Sequence, residues 1–193
     1  MSHSIQRAVS TIICAVLCGC GTTVGRSRAT PLPHFFHVDE QLYRGGQPTP
    51  EGFRELARMG VKTVINLRVE GRAHREADRR LAESLGMRWI SLPMRAYWRP
   101  SDRQVLTFLD IVNDPAQQPV FIHCRKGEDR VGVLAAVYRV VDQGWEPARA
   151  YREARSLGLS GLNPLMRYVI FHEAPQEYAP QCVISSGLAR PHS

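Results

Sequence analysis

One stretch of this 193-residue chain constrains its fold more than any other. It consists of an apolar strand, eight mostly polar residues and an apolar helix, in that order. The strand is Val120–Ile122, the connection is His123–Arg130, and the sequence predicts the helix over Val131–Val141. A continuous apolar run is typical of a parallel strand that is covered on both faces. A helix that is apolar nearly all round is buried. The connection should therefore lie at the carboxyl end of a sheet, where open α/β folds bind ligands.

Within this connection a thiol and a guanidinium, those of Cys124 and Arg130, are separated by five residues. The backbone N–H groups of a tight loop and the N-terminus of the following helix together form a site for an anion such as phosphate. The same electrostatic field favours the thiolate of Cys124, which is the nucleophilic form of a cysteine. The planar fork of Arg130 matches two phosphoryl oxygens. These residue types in this order predict a loop that binds and attacks a phosphoryl group.

The order His123, Cys124, five further residues and Arg130 resembles the signature of the protein-tyrosine and dual-specificity phosphatase superfamily. The resemblance implies that Cys124 attacks phosphorus to form a phosphocysteine, and that Arg130 binds the phosphate and the transition state. It also implies that His123 positions and tunes the thiolate, and that no metal or other cofactor is needed. The phosphate-binding loop would contain the intervening residues Arg125, Lys126, Gly127 and Glu128.

The resemblance extends over about residues 38–173. Leu42–Pro48 followed by Val61–Arg68 is similar to the beginning of small bacterial dual-specificity-like phosphatases. One position departs from the pattern, because members of the superfamily usually carry Ser or Thr after the arginine and this chain carries Val131. In the family, that hydroxyl stabilises the cysteine as a leaving group when water cleaves the phosphocysteine. We therefore expect slow turnover of the intermediate.

The leaving group must receive a proton from a carboxylic acid at hydrogen-bonding distance, and the sequence offers two candidates. Asp129 directly precedes Arg130 and resembles the loop aspartate that is the acid in some bacterial tyrosine and phosphoinositide phosphatases. Asp102 lies after the preceding strand, where many relatives place a mobile acid loop, but Ser101–Gln104 also has the form of a capping box. The common alignment puts the acid near Ala96, where this chain has no carboxylate. We therefore favour Asp129 and keep Asp102 as the alternative.

The segment between the preceding strand and the next helix is rich in aromatic and basic residues. Arg95, Trp98 and Arg99 are candidates for the rim of the substrate site, where they would stack on and pair with a phosphorylated ring. The alternative is a packed loop in which Trp98 covers the core. The sequence leaves both interpretations open.

The first residues of the chain are typical of a signal for export. Met1–Arg7 is cationic, and the apolar run Ala8–Leu17 is too short to span a bilayer, which needs about 20 residues. Leu17–Cys20 resembles the lipobox of bacterial lipoproteins, which implies cleavage before Cys20 and acylation of that cysteine. We expect a protein of the bacterial cell envelope that is anchored to the membrane by lipid, on the periplasmic face in a Gram-negative cell. Export without a lipid is the alternative.

The remainder of the chain is long enough for one domain with its own core. We expect a signal peptide over residues 1–19, a tether over 20–34, a phosphatase-like domain over 35–174 and a flexible tail over 175–193. Strands and helices alternate along the domain, which predicts an α/β fold with a largely parallel central sheet flanked by helices.

The formal net charge of +7 comes almost entirely from arginine. This balance suits an anionic substrate or an anionic membrane surface. The basic residues are scattered and no nucleic-acid-binding motif accompanies them, so we expect no binding to nucleic acid. After removal of the signal and acylation of Cys20, the remaining thiols would be Cys124 and Cys182. A reversible disulfide between these two would switch the nucleophile off.

The function favoured by the resemblance is a cysteine-dependent phosphatase acting on phosphate monoesters. The substrate would be a phosphoprotein modified at tyrosine, serine or threonine, a phosphoinositide, or another phosphorylated small molecule. The first alternative is a phosphate-binding module that has lost turnover, which Val131 favours. A rhodanese-like sulfurtransferase, which also carries a reactive cysteine in an anion-binding loop, is less favoured because the full signature including Arg130 is present.

Overall fold

The computed structural model describes residues 30–69 and 71–172. Within these residues, no helix is both long and apolar enough to cross a membrane. The expected signal peptide, Cys20 and the tail with Cys182 lie outside the described residues. The elements in chain order are β1 Phe36–His37, β2 Leu42–Gly45, α1 Pro50–Arg58, β3 Thr63–Asn66, α2 Arg72–Ser84, β4 Arg88–Ser91, α3 Asp102–Asn113, β5 Val120–His123, α4 Asp129–Val141, α5 Pro147–Ser156 and α6 Pro164–His172.

The five strands form one sheet in the order β1-β2-β5-β3-β4. The strand β5 lies at its centre and pairs in parallel with both β2 and β3, while β4 pairs in parallel with β3. Only β1, at the edge of this sheet, pairs antiparallel with its neighbour. All four residues of β5 are buried, as its continuous apolar character predicts. The expectation of an α/β domain with a largely parallel sheet is confirmed.

The helix α4 is the buried helix of the domain. Its residues from Arg130 to Arg139 are all buried, because the sequence has no polar face over this stretch. It packs against α3, α5 and α6. The helix begins at Asp129, two residues earlier than the apolar pattern predicts, so its first turn contains Asp129 and Arg130. Both side chains are therefore held by a rigid element at the end of β5.

Polar residues cap the helices where the sequence indicates. Thr49 precedes α1 and accepts a hydrogen bond from the Gly52 amide, with Pro50 in the first turn. Ser101 and Gln104 form the capping box at the start of α3. The Asn163 side chain accepts hydrogen bonds from the first amides of α6. The starts of α1, α3 and α6 are thus fixed by local hydrogen bonds.

The chain enters the domain beside the connection that follows β5. The carbonyl of Pro33 accepts a hydrogen bond from the Gly46 amide at 2.7 Å, and the carbonyl of Pro31 accepts one from the Thr49 amide at 3.0 Å. Since β1 runs antiparallel to β2, the residues before β1 lie at the carboxyl end of β2. The last residues of the predicted tether are therefore packed against the domain, at the edge where a ligand is expected.

Candidate active site

A cleft of about 260 Å³ opens at the carboxyl end of the sheet. It lies between the connection that joins β5 to α4, residues 124–128, and the loop that follows β4. We call residues 124–130 the phosphate loop. The structure thus brings together the predicted nucleophile, the predicted arginine and most of the residues between them. The lining residues are Ala96, Tyr97, Cys124, Arg125, Lys126, Glu128, Asp129 and Arg130.

The thiol of Cys124 lies at the floor of the cleft. The residue is only 3% exposed, and its Sγ accepts a hydrogen bond from the Gly127 amide at 3.2 Å. The thiol also lies close to the N-terminus of α4, where the partial positive charge of the helix is found. A backbone N–H donor and a nearby helix N-terminus are typical of the surroundings of nucleophilic cysteines. The surroundings are those that a nucleophilic cysteine requires.

Gly127 allows the phosphate loop to pack tightly against the end of β2. Its φ is +86°, a left-handed conformation that favours glycine. A Cβ atom on this residue would lie 2.4 Å from the Gly46 nitrogen and 2.6 Å from the Gly45 carbonyl carbon. A Cβ atom on Gly46 would in turn lie 2.8 Å from the Lys126 carbonyl oxygen. Gly46 and Gly127 are thus explained by the close approach of two backbones.

Arg130 is held in place by the sheet. The residue is 6% exposed, and its Nη1 donates to the carbonyls of Leu67 and Met94, each at 3.3 Å. These two carbonyls lie just after β3 and β4. Because the guanidinium lines the cleft while the neighbouring strands fix it, it is positioned before any ligand binds. This is the geometry needed to hold a phosphoryl group above Cys124.

Asp129 lines the cleft at the first position of α4. Its Oδ1 accepts a hydrogen bond from the Ser160 amide at 2.7 Å. Ser160 lies in the connection between α5 and α6, so a distant part of the chain orients this carboxyl group. The carboxyl is half-buried and lies next to the reacting groups, which is the position that a proton donor requires.

Asp102, the alternative acid, lies at the first position of α3. It is exposed and is absent from the residues that line the cleft. The capping box that the sequence indicated is formed by Ser101 and Gln104, on either side of it. Ala96, where the common alignment would place an acid, does line the cleft and carries no carboxylate. The geometry therefore favours Asp129 over Asp102.

The loop after β4 forms one wall of the cleft through a residue that the sequence analysis did not select. Tyr97 lines the cleft, is 77% exposed and has a φ of +68°, which is rare outside glycine. Arg95, Trp98 and Arg99 are exposed on the same loop but do not line the cleft. Trp98 is 61% exposed, so the interpretation in which it covers the core is wrong. Met94, on the same connection, is buried in the core.

His123 is a neutral side chain in the core. It is fully buried, and its ring lies among three aromatic rings, those of Phe53, Trp89 and Phe121. Burial lowers the pKa of His123 to about 3; the Cys124 backbone raises it, and the charges of Arg68 and Arg130 lower it further. The imidazole is therefore uncharged at neutral pH. It can position Cys124 by packing, but it adds no positive charge beside the sulfur.

Charged side chains of both signs surround the mouth of the cleft. Arg125 and Lys126 are exposed on the phosphate loop. Glu128 lies within ion-pair distance of His34, at 3.5 Å, and of Lys126, at 3.8 Å. In residues 30–69 and 71–172, no three His, Cys, Asp or Glu side chains are grouped so as to hold a metal ion.

The structure adds a buried cation that the sequence analysis missed. Arg44, in β2, is 1% exposed and donates hydrogen bonds to the carbonyls of Gly127 and Glu128. A signal was present in the sequence, because Arg44 follows Leu42 by two residues in a predicted strand and so shares its core-facing side. A charged residue at such a position is rarely buried without a partner.

Residues 34–163 match a protein family described as "DSP-PTPase phosphatase fused to NAD+ Kinase". The dual specificity protein phosphatase TpbA of Pseudomonas aeruginosa is 32% identical over 129 residues, which are 66% of this chain and 56% of TpbA. The inositol diphosphatase DSP4 of Arabidopsis thaliana is 30% identical over 119 residues, which are 60% of this chain and 59% of DSP4. The chain thus spans a little over half the length of these curated relatives.

Solved structures of phosphatases share the fold. The core catalytic domain of the PP-IP phosphatase Siw14 from S. cerevisiae superposes with a TM-score of 0.63 at 26% identity, covering 72% of this chain and 85% of that domain. TpbA of P. aeruginosa superposes with a TM-score of 0.61 at 27% identity, covering 75% of this chain and 91% of TpbA. The fold that the sequence resemblance implied is therefore confirmed.

We expect Gly127→Ala to abolish binding of inorganic phosphate at the cleft, because the new Cβ atom would push the phosphate loop off the end of β2. The control is Gly144→Ala, which also places a side chain at a positive φ, of 65°, but meets no atom within 4 Å. Both changes should destabilise the fold by about 1 kcal/mol through backbone strain, and Gly127→Ala should destabilise it further because its Cβ atom would clash with the backbone. Only Gly127→Ala should lose phosphate binding, measured by calorimetry. Equal binding by the two variants would show that the close approach is not required.

Proposed function

The chain belongs to the DSP-PTPase family of phosphatases, and we propose that it hydrolyses phosphate monoesters through a phosphocysteine intermediate. One observation carries the proposal. The Cys124 thiol lies at the floor of a cleft, hydrogen-bonded to the Gly127 amide and next to the fixed guanidinium of Arg130. A nucleophile, an oxyanion site and a cation are thus held together by rigid elements.

In the first step the substrate phosphate would bind the N–H groups of the phosphate loop and the Arg130 guanidinium. The Cys124 thiolate attacks phosphorus, a sulfur–phosphorus bond forms, and the bond from phosphorus to the leaving oxygen breaks. Asp129 donates its proton to that oxygen, so the product leaves as a neutral alcohol or phenol. Arg130 neutralises the charge on the equatorial oxygens while the phosphoryl group is transferred.

In the second step a water molecule would attack the phosphocysteine. Asp129, now a carboxylate, takes a proton from the water as its oxygen bonds to phosphorus. The sulfur–phosphorus bond breaks, and inorganic phosphate and the Cys124 thiolate are released. Val131 is buried after Arg130 and has no hydroxyl to stabilise the departing thiolate. The second step is therefore the slower one.

We infer that the substrates are phosphoproteins or phosphorylated inositols. The two curated relatives described above are named for these two kinds of phosphatase activity. The exposed Tyr97 at the wall of the cleft can stack on a ring, and the exposed Arg125 and Lys126 at its mouth can pair with further phosphates. These features fit a ring-bearing phosphate monoester.

The two alternative functions are less well supported. A module that only binds phosphate needs no oriented carboxylic acid, whereas here the Ser160 amide orients the Asp129 carboxyl group. A sulfurtransferase needs no carboxylic acid beside the cysteine. The named relatives are phosphatases, which favours neither alternative.

We propose that the protein is exported and anchored by lipid at Cys20. The lipobox-like Leu17–Cys20 supports the anchor. Cys20 lies ten residues before Thr30, and a chain of that length spans at most about 35 Å. Because the chain joins the domain beside the phosphate loop, this anchor would hold the cleft near the membrane surface.

The anchor is tested by feeding cells a labelled fatty acid. We expect the wild-type protein to incorporate the label and to sediment with membranes, and Cys20→Ala to do neither. Cys182→Ala is the control, since it also removes a cysteine but leaves the lipobox intact. Unlabelled wild-type protein released in soluble form from the cell envelope would support export without a lipid.

We expect Asp129→Asn to lower kcat/KM for an alkyl phosphate by about 10² to 10³-fold, because the alkoxide must then leave unprotonated. The loss should be much smaller for a nitrophenyl phosphate, whose leaving group needs little help. Asp102→Asn is the matched control and should stay within about twofold of the wild type on both substrates. The reverse pattern, with Asp102→Asn losing activity on the alkyl phosphate alone, would identify Asp102 as the acid.

We expect the wild-type protein to release a burst of about one equivalent of nitrophenol, followed by slow turnover, because the phosphocysteine accumulates. Cys124→Ser should give no burst. Val131→Thr supplies the missing hydroxyl and should raise the steady-state rate without changing the burst. Val133→Thr, a second buried valine of α4, controls for the cost of burying a hydroxyl. A wild-type protein with no burst and an unchanged rate in Val131→Thr would contradict a slow second step.

A further inference from the structure

We propose that Arg44 is a positioning residue that fixes the phosphate loop in its anion-binding conformation and holds the Gly127 amide against the sulfur of Cys124. Arg44 lies in β2, where its Cα pairs with that of Ile122 in β5. The side chain is 1% exposed and does not line the cleft. The phosphate loop therefore lies between Arg44 and the cleft. The role rests on the proposed function of this loop, although its consequences can be measured without turnover.

Hydrogen bonds from Arg44 determine which way the peptide units of the loop point. Its Nη2 donates to the Gly127 carbonyl at 3.0 Å and to the Glu128 carbonyl at 3.3 Å. In a trans peptide unit the C=O and the N–H point in opposite directions. With both carbonyls turned toward the guanidinium, the amides of Glu128 and Asp129 point away from it, toward the cleft. Arg44 thus directs two N–H donors at the position of a bound phosphate.

The same contact supports the hydrogen bond to the nucleophile. Gly127 donates its N–H to Cys124 Sγ, while its C=O accepts from Arg44. Both groups of this residue are therefore committed, and its left-handed conformation is fixed from two sides. Loss of the guanidinium would free the Gly127 carbonyl and allow the N–H to turn away from the sulfur. Hydrogen bonds arranged in series also strengthen each other in a buried site.

The charge of Arg44 acts on the thiol as well. Burial lowers the pKa of Arg44 to about 10, while the negative charges of Cys124 and Glu153 raise it. The guanidinium therefore remains charged at neutral pH. Arg44 acts from behind the loop, and Arg130 acts from the side of the cleft.

Packing of the core does not by itself explain an arginine at this position. Burial of a guanidinium is unfavourable unless its hydrogen bonds and charge are satisfied. Among the described residues, the Nε of Arg44 has no hydrogen-bond partner. An apolar side chain of similar length would fill the space beside Leu42 without this penalty. The requirement for a cation comes from the loop and from the anion that the loop holds.

The test uses Arg44→Met, which keeps the length of the side chain, and Arg44→Lys, which keeps the charge but loses the fork. Arg139→Met is the matched control, because Arg139 is also a buried arginine, 7% exposed, that pairs with Glu153 in α5 and does not contact the phosphate loop. Alkylation of Cys124 by iodoacetamide is followed in the full chain across pH by mass spectrometry of its peptide. Protection from alkylation by inorganic phosphate reports on the loop.

We expect Arg44→Met to be alkylated about tenfold more slowly than the wild type near pH 6, because the Gly127 N–H is no longer held against the sulfur. Its affinity for phosphate should fall by about tenfold, because two N–H donors are no longer directed at the anion. Arg44→Lys should keep most of the alkylation rate near pH 6 but should lose affinity for phosphate. Arg139→Met should unfold more easily than the wild type while keeping both properties.

An alkylation profile and a phosphate affinity in Arg44→Met equal to those of the wild type would overturn the proposal. Equal losses in Arg139→Met would also overturn it, since they would reflect general destabilisation. If Arg44→Met does not fold, as judged by circular dichroism, Arg44→Lys decides, because a wild-type phosphate affinity in that variant would contradict the role of the fork. A wild-type protein without phosphatase activity but with these differences would refute the proposed function alone.

Discussion

The close approach between the phosphate loop and the end of β2 is the constraint on which the site depends. Gly127 and Gly46 have no side chains there, so the two backbones lie within van der Waals contact. This approach fixes the position of the Gly127 amide and therefore the hydrogen bond that it donates to Cys124. It also brings the loop carbonyls within reach of Arg44, a residue of the same strand. The glycines that allow the close approach and the arginine that binds the loop carbonyls thus lie at the same junction between β2 and the phosphate loop.

Two buried arginines lie at the phosphate loop, and different strands support them. Arg130 is anchored by carbonyls at the ends of β3 and β4, whereas Arg44 belongs to β2. Cys124 directly follows β5, which lies at the centre of the sheet. The site is therefore built from the carboxyl ends of four parallel strands, and its geometry depends on their register. A parallel sheet that is covered on both faces gives this rigidity.

The elements that form the site could be predicted from sequence because each has a strong local pattern. The apolar strand, the signature from His123 to Arg130, and the apolar helix are consecutive, and the capping box at Ser101 is likewise local. The contacts that complete the site are not local. Arg44 meets Gly127 across 83 residues, and the Ser160 amide meets Asp129 across 31. No periodic pattern reports such contacts, and the position of Tyr97 in the wall depends on a loop conformation that no pattern encodes.

The hydrogen bond between the Gly46 amide and the Pro33 carbonyl bears on where the functional unit begins. The first strand starts at Phe36, but the residues before it pack against the same glycine that supports the phosphate loop. A fragment that began at Phe36 would keep all five strands of the sheet. It would lose the Pro33 carbonyl that binds the Gly46 amide beside the phosphate loop. The boundary of the unit that holds the candidate site is therefore set by the backbone that braces the loop, several residues upstream of the boundary that secondary structure alone suggests.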